Sequence, residues 1–268
     1  RLRALGGQRV SGVRNRAWFY LGKVWYARGY DDKAEHALRS VTGLLPPELE
    51  AEKTHLLANV LMHGGRYDEA VQVLDAFQGR SDWVAYARFN LGVAFVRKGQ
   101  LPDADRYLTS VGEMAAGTPE MLALRDKANL ALGFAYLQAD QPANAKVVLE
   151  RVRLSGPLSN KALLGAGWAN AALGDFEGAL APWLELRGRN LLDAAVQESY
   201  LAVPYAYGKL GANAQAAEYY EAAMREFDKE GVSLDAAIQG LRSTRLLDDL
   251  LAQETAERLG WFWQLQEL

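Results

Sequence analysis

Apolar residues recur along this chain at helical spacing, in paired segments broken at regular intervals by a glycine or an aspartate. One amphipathic segment stops at that residue and a second begins within a few positions. The spacing predicts helices, and no segment reads as a strand. Gly29, Gly65, Gly99, Gly174 and Gly211 stand where one helix must end and the chain reverse, a left-handed position that glycine adopts cheaply. Near the helix middles lie Gly22, Gly92, Gly133 and Gly167, each costing about 1 kcal/mol in helix propensity. That repeated cost is expected where two helices cross closely, with Ala34, Ala70, Ala104, Ala145, Ala179 and Ala216 facing the gaps. Thr118-Pro119-Glu120 and Ser233-Leu234-Asp235 read as helix starts by N-cap and first-turn chemistry.

The paired segments are copies of one another. The first carries Trp18, Leu21, Gly22, Trp25, Gly29, Ala34, Leu38 and Pro46, and the second Leu57, Ala58, Leu61, Gly65, Ala70 and Leu74. The third has Leu91, Gly92, Phe95, Gly99, Ala104 and Leu108; the fourth has Leu132, Gly133, Tyr136, Asp140, Ala145, Leu149 and Pro157. Copies five and six keep Gly167, Gly174, Ala179 and Trp183, then Val203, Tyr207, Gly211, Ala216 and Tyr220. A period of about 34 residues marks a solenoid, in which a unit buries its apolar face only against its neighbours. These residues resemble the tetratricopeptide repeat family, with its signature Trp-x2-Leu-Gly-x2-Tyr, Ala-x3-Phe and Pro. Trp18-x2-Leu21-Gly22-x2-Trp25 with Ala34-x3-Leu38 and Pro46 matches that spacing, with Trp for Tyr and Leu for Phe. Asn129-x2-Leu132-Gly133-x2-Tyr136 with Ala145-x3-Leu149 and Pro157 is nearly as close. The resemblance implies an all-α, right-handed superhelix of about six helix-turn-helix repeats, near 15–48, 51–84, 85–118, 119–158, 160–191 and 193–230. Residues 1–14 are expected to form a tail or the remnant of an upstream segment, and 231–268 a capping region continued in a longer chain.

The period is uneven. Steps between the six marker alanines are 36, 34, 41, 34 and 37 residues. The long step predicts a loop over Val111–Gly117 and a long helix from Pro119 to about Ala139, which reads either as a bend between two halves or as a surface insertion. Pro182 and Pro204 fall inside helices and are expected to kink them. Beyond Gly231, Leu234–Leu259 reads as one or two helices of different register, and Trp261, Phe262 and Trp263 call for a partner.

Composition narrows the function. The 268 residues are 50% hydrophobic and 24% charged, with a net charge of −3 and no cysteine. Disulfides and thiolate metal sites are therefore absent, while the redox compartment stays open. No basic cluster provides a nucleic-acid footprint, and no apolar run approaches the ~20 residues of a membrane helix. His55 and His63 lie eight apart on one helix and His36 on another. No carboxylate pair stands at ligand spacing beside them, and no glycine-rich phosphate loop follows a strand. A non-enzyme without cofactor or metal is expected.

The resemblance further implies that the first helix of each repeat lines the inside of the superhelix. The ninth position of the unit reads Lys23, Asn59, Val93, Phe134, Trp168 and Tyr205, with Phe19, Tyr20, Tyr26, Tyr86 and Phe89 decorating the first half. Inward basic residues are Arg16, Lys23, Arg97, Lys127, Lys161 and Lys209, against the acids Glu52 and Glu198. Such a face suits a protein segment with apolar anchors and some negative charge, unless the aromatics pack on neighbouring helices. Some family members clamp a peptide's terminal carboxylate. The matching positions here are His55, Asn59, Asn90, Lys127 and Ala131, in which His replaces Lys and Ala removes an Arg. The expected role is a scaffold or adaptor, with self-association and glycan or acyl-chain binding as alternatives. The Ala-, Leu- and Gly-rich style looks bacterial, and an envelope role rests on analogy alone.

Overall fold

A computed structural model describes residues 2–77 and 81–242. Twelve helices account for the ordered elements among the described residues: α1 (Leu2–Ala27), α2 (Asp31–Arg39), α3 (Pro47–His63), α4 (Tyr67–Ala76), α5 (Asp82–Arg97), α6 (Leu101–Gly112), α7 (Pro119–Gln138), α8 (Pro142–Leu149), α9 (Ser159–Ala172), α10 (Phe176–Arg187), α11 (Ala194–Lys209) and α12 (Asn213–Arg242). They form two compact units, residues 1–175 and 176–268. The division falls between α9 and α10, the two halves of the fifth repeat in the sequence.

In the first unit each helix packs on the next, and the first helices also pack on one another in the order α1, α3, α5, α7 and α9. The first helices therefore form a continuous row, as a superhelix with first helices inside requires. In the second unit α10 packs on α11 and α11 on α12.

The same turn closes all six pairs. Gly29, Gly65, Gly99, Gly174 and Gly211 have φ between 70° and 80°, and Asp140 takes the equivalent place at φ 55°. At the first turn Gly29 N–H donates to the Tyr26 carbonyl at 2.9 Å and Tyr30 N–H to the Trp25 carbonyl at 3.0 Å. This pair of bonds satisfies the last free carbonyls of a helix in a Schellman motif. It recurs at Asp140, whose N–H reaches the Leu137 carbonyl while Gln141 N–H reaches that of Tyr136.

Close packing within a pair differs in detail from expectation. The six marker alanines are buried, but the glycines on the first helices face leucines. A Cβ on Gly22 would lie 2.7 Å from Leu38 Cγ, and one on Gly92 would lie 2.6 Å from Leu108 Cγ. Gly133 meets Leu149 in the same way. The longer leucine, four residues past the alanine, fills the gap and is itself fully buried. The core runs continuously from Phe19 on α1 to Val148 on α8.

The long step between repeats three and four goes into helix as well as loop. Helix α6 extends to Gly112, with Val111 buried in its last turn, and α7 has 20 residues. Thr118 caps α7 as expected, its hydroxyl accepting from Met121 N–H at 3.2 Å. Asp126 on α7 is fully buried and accepts from Arg153 Nε at 2.8 Å, tying α7 to the segment after α8. On the second helices, Glu35 of α2 pairs with Arg66 and Arg39, while Arg39 reaches Glu69 of α4 at 2.8 Å.

Two expectations change. Residues 2–14 do not form a tail but extend α1, which no proline interrupts. Ser233 does not start a helix; it lies with Asp235 on an exposed stretch of the 30-residue α12, where polar side chains need no cap. Pro182 and Pro204 lie inside α10 and α11, as the sequence places them, and their neighbours Trp183 and Val203 are fully buried. The part of the Leu234–Leu259 reading beyond residue 242, and Trp261–Trp263, lie outside the described residues.

Candidate functional site

Six of the residues singled out for the inner face, Tyr26, Asn59, Phe89, Asn90, Val93 and Arg97, converge on one cleft in the first unit. It has a volume of about 490 Å³ and is lined by Tyr26 of α1, Asn59 and His63 of α3, Tyr67 of α4, and Phe89, Asn90, Val93 and Arg97 of α5, among others. A chain of amides runs across its floor. Asn59, buried on α3, donates to the Tyr26 hydroxyl at 3.3 Å and lies 3.0 Å from His55 Nε2. Asn90 donates to Asn59 Oδ1 at 3.2 Å. Asn59 thus links three helices, and its burial is tolerated because both ends of the amide are bonded.

Burial holds His55 below the usual histidine pKa, against smaller opposing effects of the Trp83 backbone and the Glu52 charge. It therefore stands neutral at pH 7, as a ring nitrogen accepting from Asn59 requires. His63 closes the rim, stacked on Tyr26 at 6.1 Å, with Nδ1 3.1 Å from Asp31. Lys98 places its ammonium 3.8 Å from the Tyr67 ring centroid. Arg97 is exposed and makes no ion pair or hydrogen bond among the described residues. It also borders a neighbouring cleft of about 380 Å³ between α5 and α7.

The other expected site residues fall in several places. Phe19 is a correction: it is fully buried, with its ring edge against Tyr20 at 5.1 Å, so it belongs to the core and Tyr20 alone reaches the surface. Lys23 is engaged by Glu52 at 2.6 Å, which neutralises a charge expected to face a partner. Phe89 is half-buried against the core. Lys127 and Lys161 are exposed without an ion pair among the described residues. Phe134 remains 39% exposed, opposite Gly165 on α9, and Trp168 is half-buried. Tyr205 and Lys209 belong to the second unit, where the Lys209 ammonium sits 5.4 Å from the Tyr205 ring and Phe176 meets it edge-on at 6.0 Å. His63, Tyr67 and Lys98 were not singled out as groove residues. They come from helix ends, where repeat position gives no inward signal.

A family model described as tetratricopeptide repeat matches residues 55–109 and 130–190, which span α3 to α6 and α7 to α10. These segments are tetratricopeptide repeats. This repeat protein is also similar to a solved tetratricopeptide repeat protein from Parabacteroides merdae, at 16% identity, TM-score 0.50 and 80% coverage of each chain. Kinesin light chain TPR-like repeats from Podosopora anserina are 19% identical over 70% of this chain and 99% of theirs, with TM-score 0.49. MamA (AMB-1) is 22% identical over 72% of this chain and 96% of its own, with TM-score 0.47. At such identities the likeness concerns the fold alone. No curated protein sequence matches the chain significantly.

In this repeat protein the carboxylate-clamp positions are only partly assembled for that task. His55, Asn59 and Asn90 are brought together, but the histidine is neutral and Asn59 is engaged by three neighbours. Ala131 supplies no charge. Among the described residues no group of three or more His, Asp or Glu stands ready to hold a metal, and no helix is long and apolar enough to cross a membrane.

Proposed function

We propose that this repeat protein is a non-catalytic scaffold that holds a segment of another protein against the first helices of its first unit. The observation that supports this reading is the cleft floored by the Tyr26–Asn59–Asn90 chain and rimmed by the unpaired Arg97. Polar bonds fix its floor and apolar walls from Phe89 and Val93 flank it, so the surface is preorganised and little entropy is lost on binding. Arg97, Lys127 and Lys161 favour a segment carrying acidic residues, and Phe134 offers a half-exposed ring for an apolar anchor. Tyr205 and Lys209 form a separate patch on the second unit and are to be tested separately.

The test is affinity capture with quantitative mass spectrometry from the native host, comparing wild type with Arg97→Glu/Phe134→Ala at equal helicity. A partner recovered by wild type and depleted at least about tenfold with the variant supports the groove; an rim charge reversal of this kind acts on association through electrostatics. Identical partner lists would reject it and direct attention to the second helices.

A further inference from the structure

Successive repeats in this chain are joined by seating a second helix on the first helix that follows. Gly112 at the end of α6 lies against Asn129 on α7, whose Nδ2 donates to the Gly112 carbonyl at 3.0 Å. At the end of α10, the Arg187 guanidinium is 4.2 Å from the Tyr200 ring on α11, and the Tyr200 hydroxyl donates to the Arg187 carbonyl at 3.3 Å. The two joints use the same repeat positions. Gly112 and Arg187 stand eight residues after the marker alanines Ala104 and Ala179; Asn129 and Tyr200 stand three residues before Leu132 and Val203.

At the two ends of the described array those positions are Met224 on α12 and Trp18 on α1. Met224 is 67% exposed. Beside Trp18, Leu21 is 39% exposed, whereas its equivalents Leu57, Leu91, Leu132 and Val203 are at most 7% exposed. Trp18, Leu21 and Trp25 line an almost wholly apolar cleft of about 240 Å³ against α2. The end faces are therefore two halves of one joint type, each with its apolar contact open. A methionine on an indole is a favourable pairing.

Charge favours the same match. Helix α1 carries no acidic residue, and its exposed Arg14 and Arg16 make no ion pair among the described residues. Helix α12 carries Glu218, Asp228 and Glu230, likewise without an ion pair there. We propose that copies of this chain associate head to tail, with α12 of one copy seated on α1 of the next as α6 seats on α7. Such a heterologous joint leaves one face free at each end and so adds further copies.

The test is sedimentation equilibrium of the full chain, as wild type, Leu21→Glu and Met224→Glu, with helicity checked by circular dichroism. Wild type is expected to gain mass with concentration beyond the dimer, and association to weaken roughly 30-fold or more in each variant, as for loss of an interface anchor. An equimolar mixture of the two variants keeps one intact pair of faces and is expected to stop at a dimer. Should Leu21→Glu lose helicity, Arg14→Glu/Arg16→Glu takes its place. A wild type that stays monomeric throughout, variants that associate as wild type does, or a mixture that stays monomeric would overturn the proposal.

Discussion

The ion pair between Asp126 and Arg153 should respond very unequally to removal of its two members. Asp126 is 0% exposed and Arg153 30% exposed at the side chain. Replacing Arg153 with alanine strands a buried carboxylate, which typically costs about 3–5 kcal/mol. Replacing Asp126 leaves a guanidinium that already reaches water, so the cost falls to that of lost hydrogen bonds, roughly 1–2 kcal/mol. The double variant removes both the charge and its need, and should be more stable than Arg153→Ala alone by about 2 kcal/mol. Urea titration followed by far-ultraviolet circular dichroism reads the difference. At a slope of about 2 kcal/mol per molar, Arg153→Ala should lower the midpoint by at least 1 M and the second substitution should restore much of it. Equal losses from the two single variants, or strictly additive losses in the double, would refute the account of which partner is stranded.

The remaining expectations concern turns, packing and pH. Asp140 holds φ at 55° where five other turns use glycine, so Asp140→Gly should raise stability by about 0.5–1 kcal/mol, and Gly99→Ala should lower it by about 1–2 kcal/mol; thermal melts decide both. Gly92→Ala sets a Cβ 2.6 Å from Leu108 Cγ and should destabilise by about 1–3 kcal/mol. By contrast, Gly208→Ala meets nothing within 4 Å and should gain up to about 1 kcal/mol in helix propensity. Hydrogen bonding from Arg66 holds Glu35 below the usual glutamate pKa, opposed by burial and aided by Arg39. Because the folded-state value is depressed, this stabilisation is present above the unfolded value and is lost as pH falls through the folded one. Glu35→Gln should melt below wild type at pH 7 and converge with it in acid; a constant gap across that range would contradict the pairing.

Much of the fold was legible because its devices are local. The left-handed turn residue, glycine at five turns and Asp140 at the sixth, and the apolar spacing of each helix act within a few residues, so position within the repeat could be read directly. The partner of each mid-helix glycine was less accessible. Spacing alone placed an alanine opposite it, and only side-chain length shows that Leu38, Leu108 and Leu149 fill the gap. The inward positions named Asn59, Asn90 and Arg97, which line one cleft, but they said nothing of how charges cancel. Lys23 meets Glu52, and Phe19 turns into the core, because one register position faces either a neighbour or the groove according to local tilt. Asp126 carried no sequence signal, since its partner Arg153 lies 27 residues on in a segment without repeat identity.

The glycine–leucine contacts also bear on how the chain is assembled and lost. Gly22 meets Leu38, Gly92 meets Leu108 and Gly133 meets Leu149, each sixteen residues further along. Closing so short a loop requires little chain entropy, so every helical hairpin can form its own lock before any distant segment arrives. Folding dominated by near-neighbour contacts is fast. The reverse holds under a pulling force or a protease. A hairpin whose neighbour is lost keeps its internal lock, so the array should come apart in steps of one helical pair rather than in a single cooperative event.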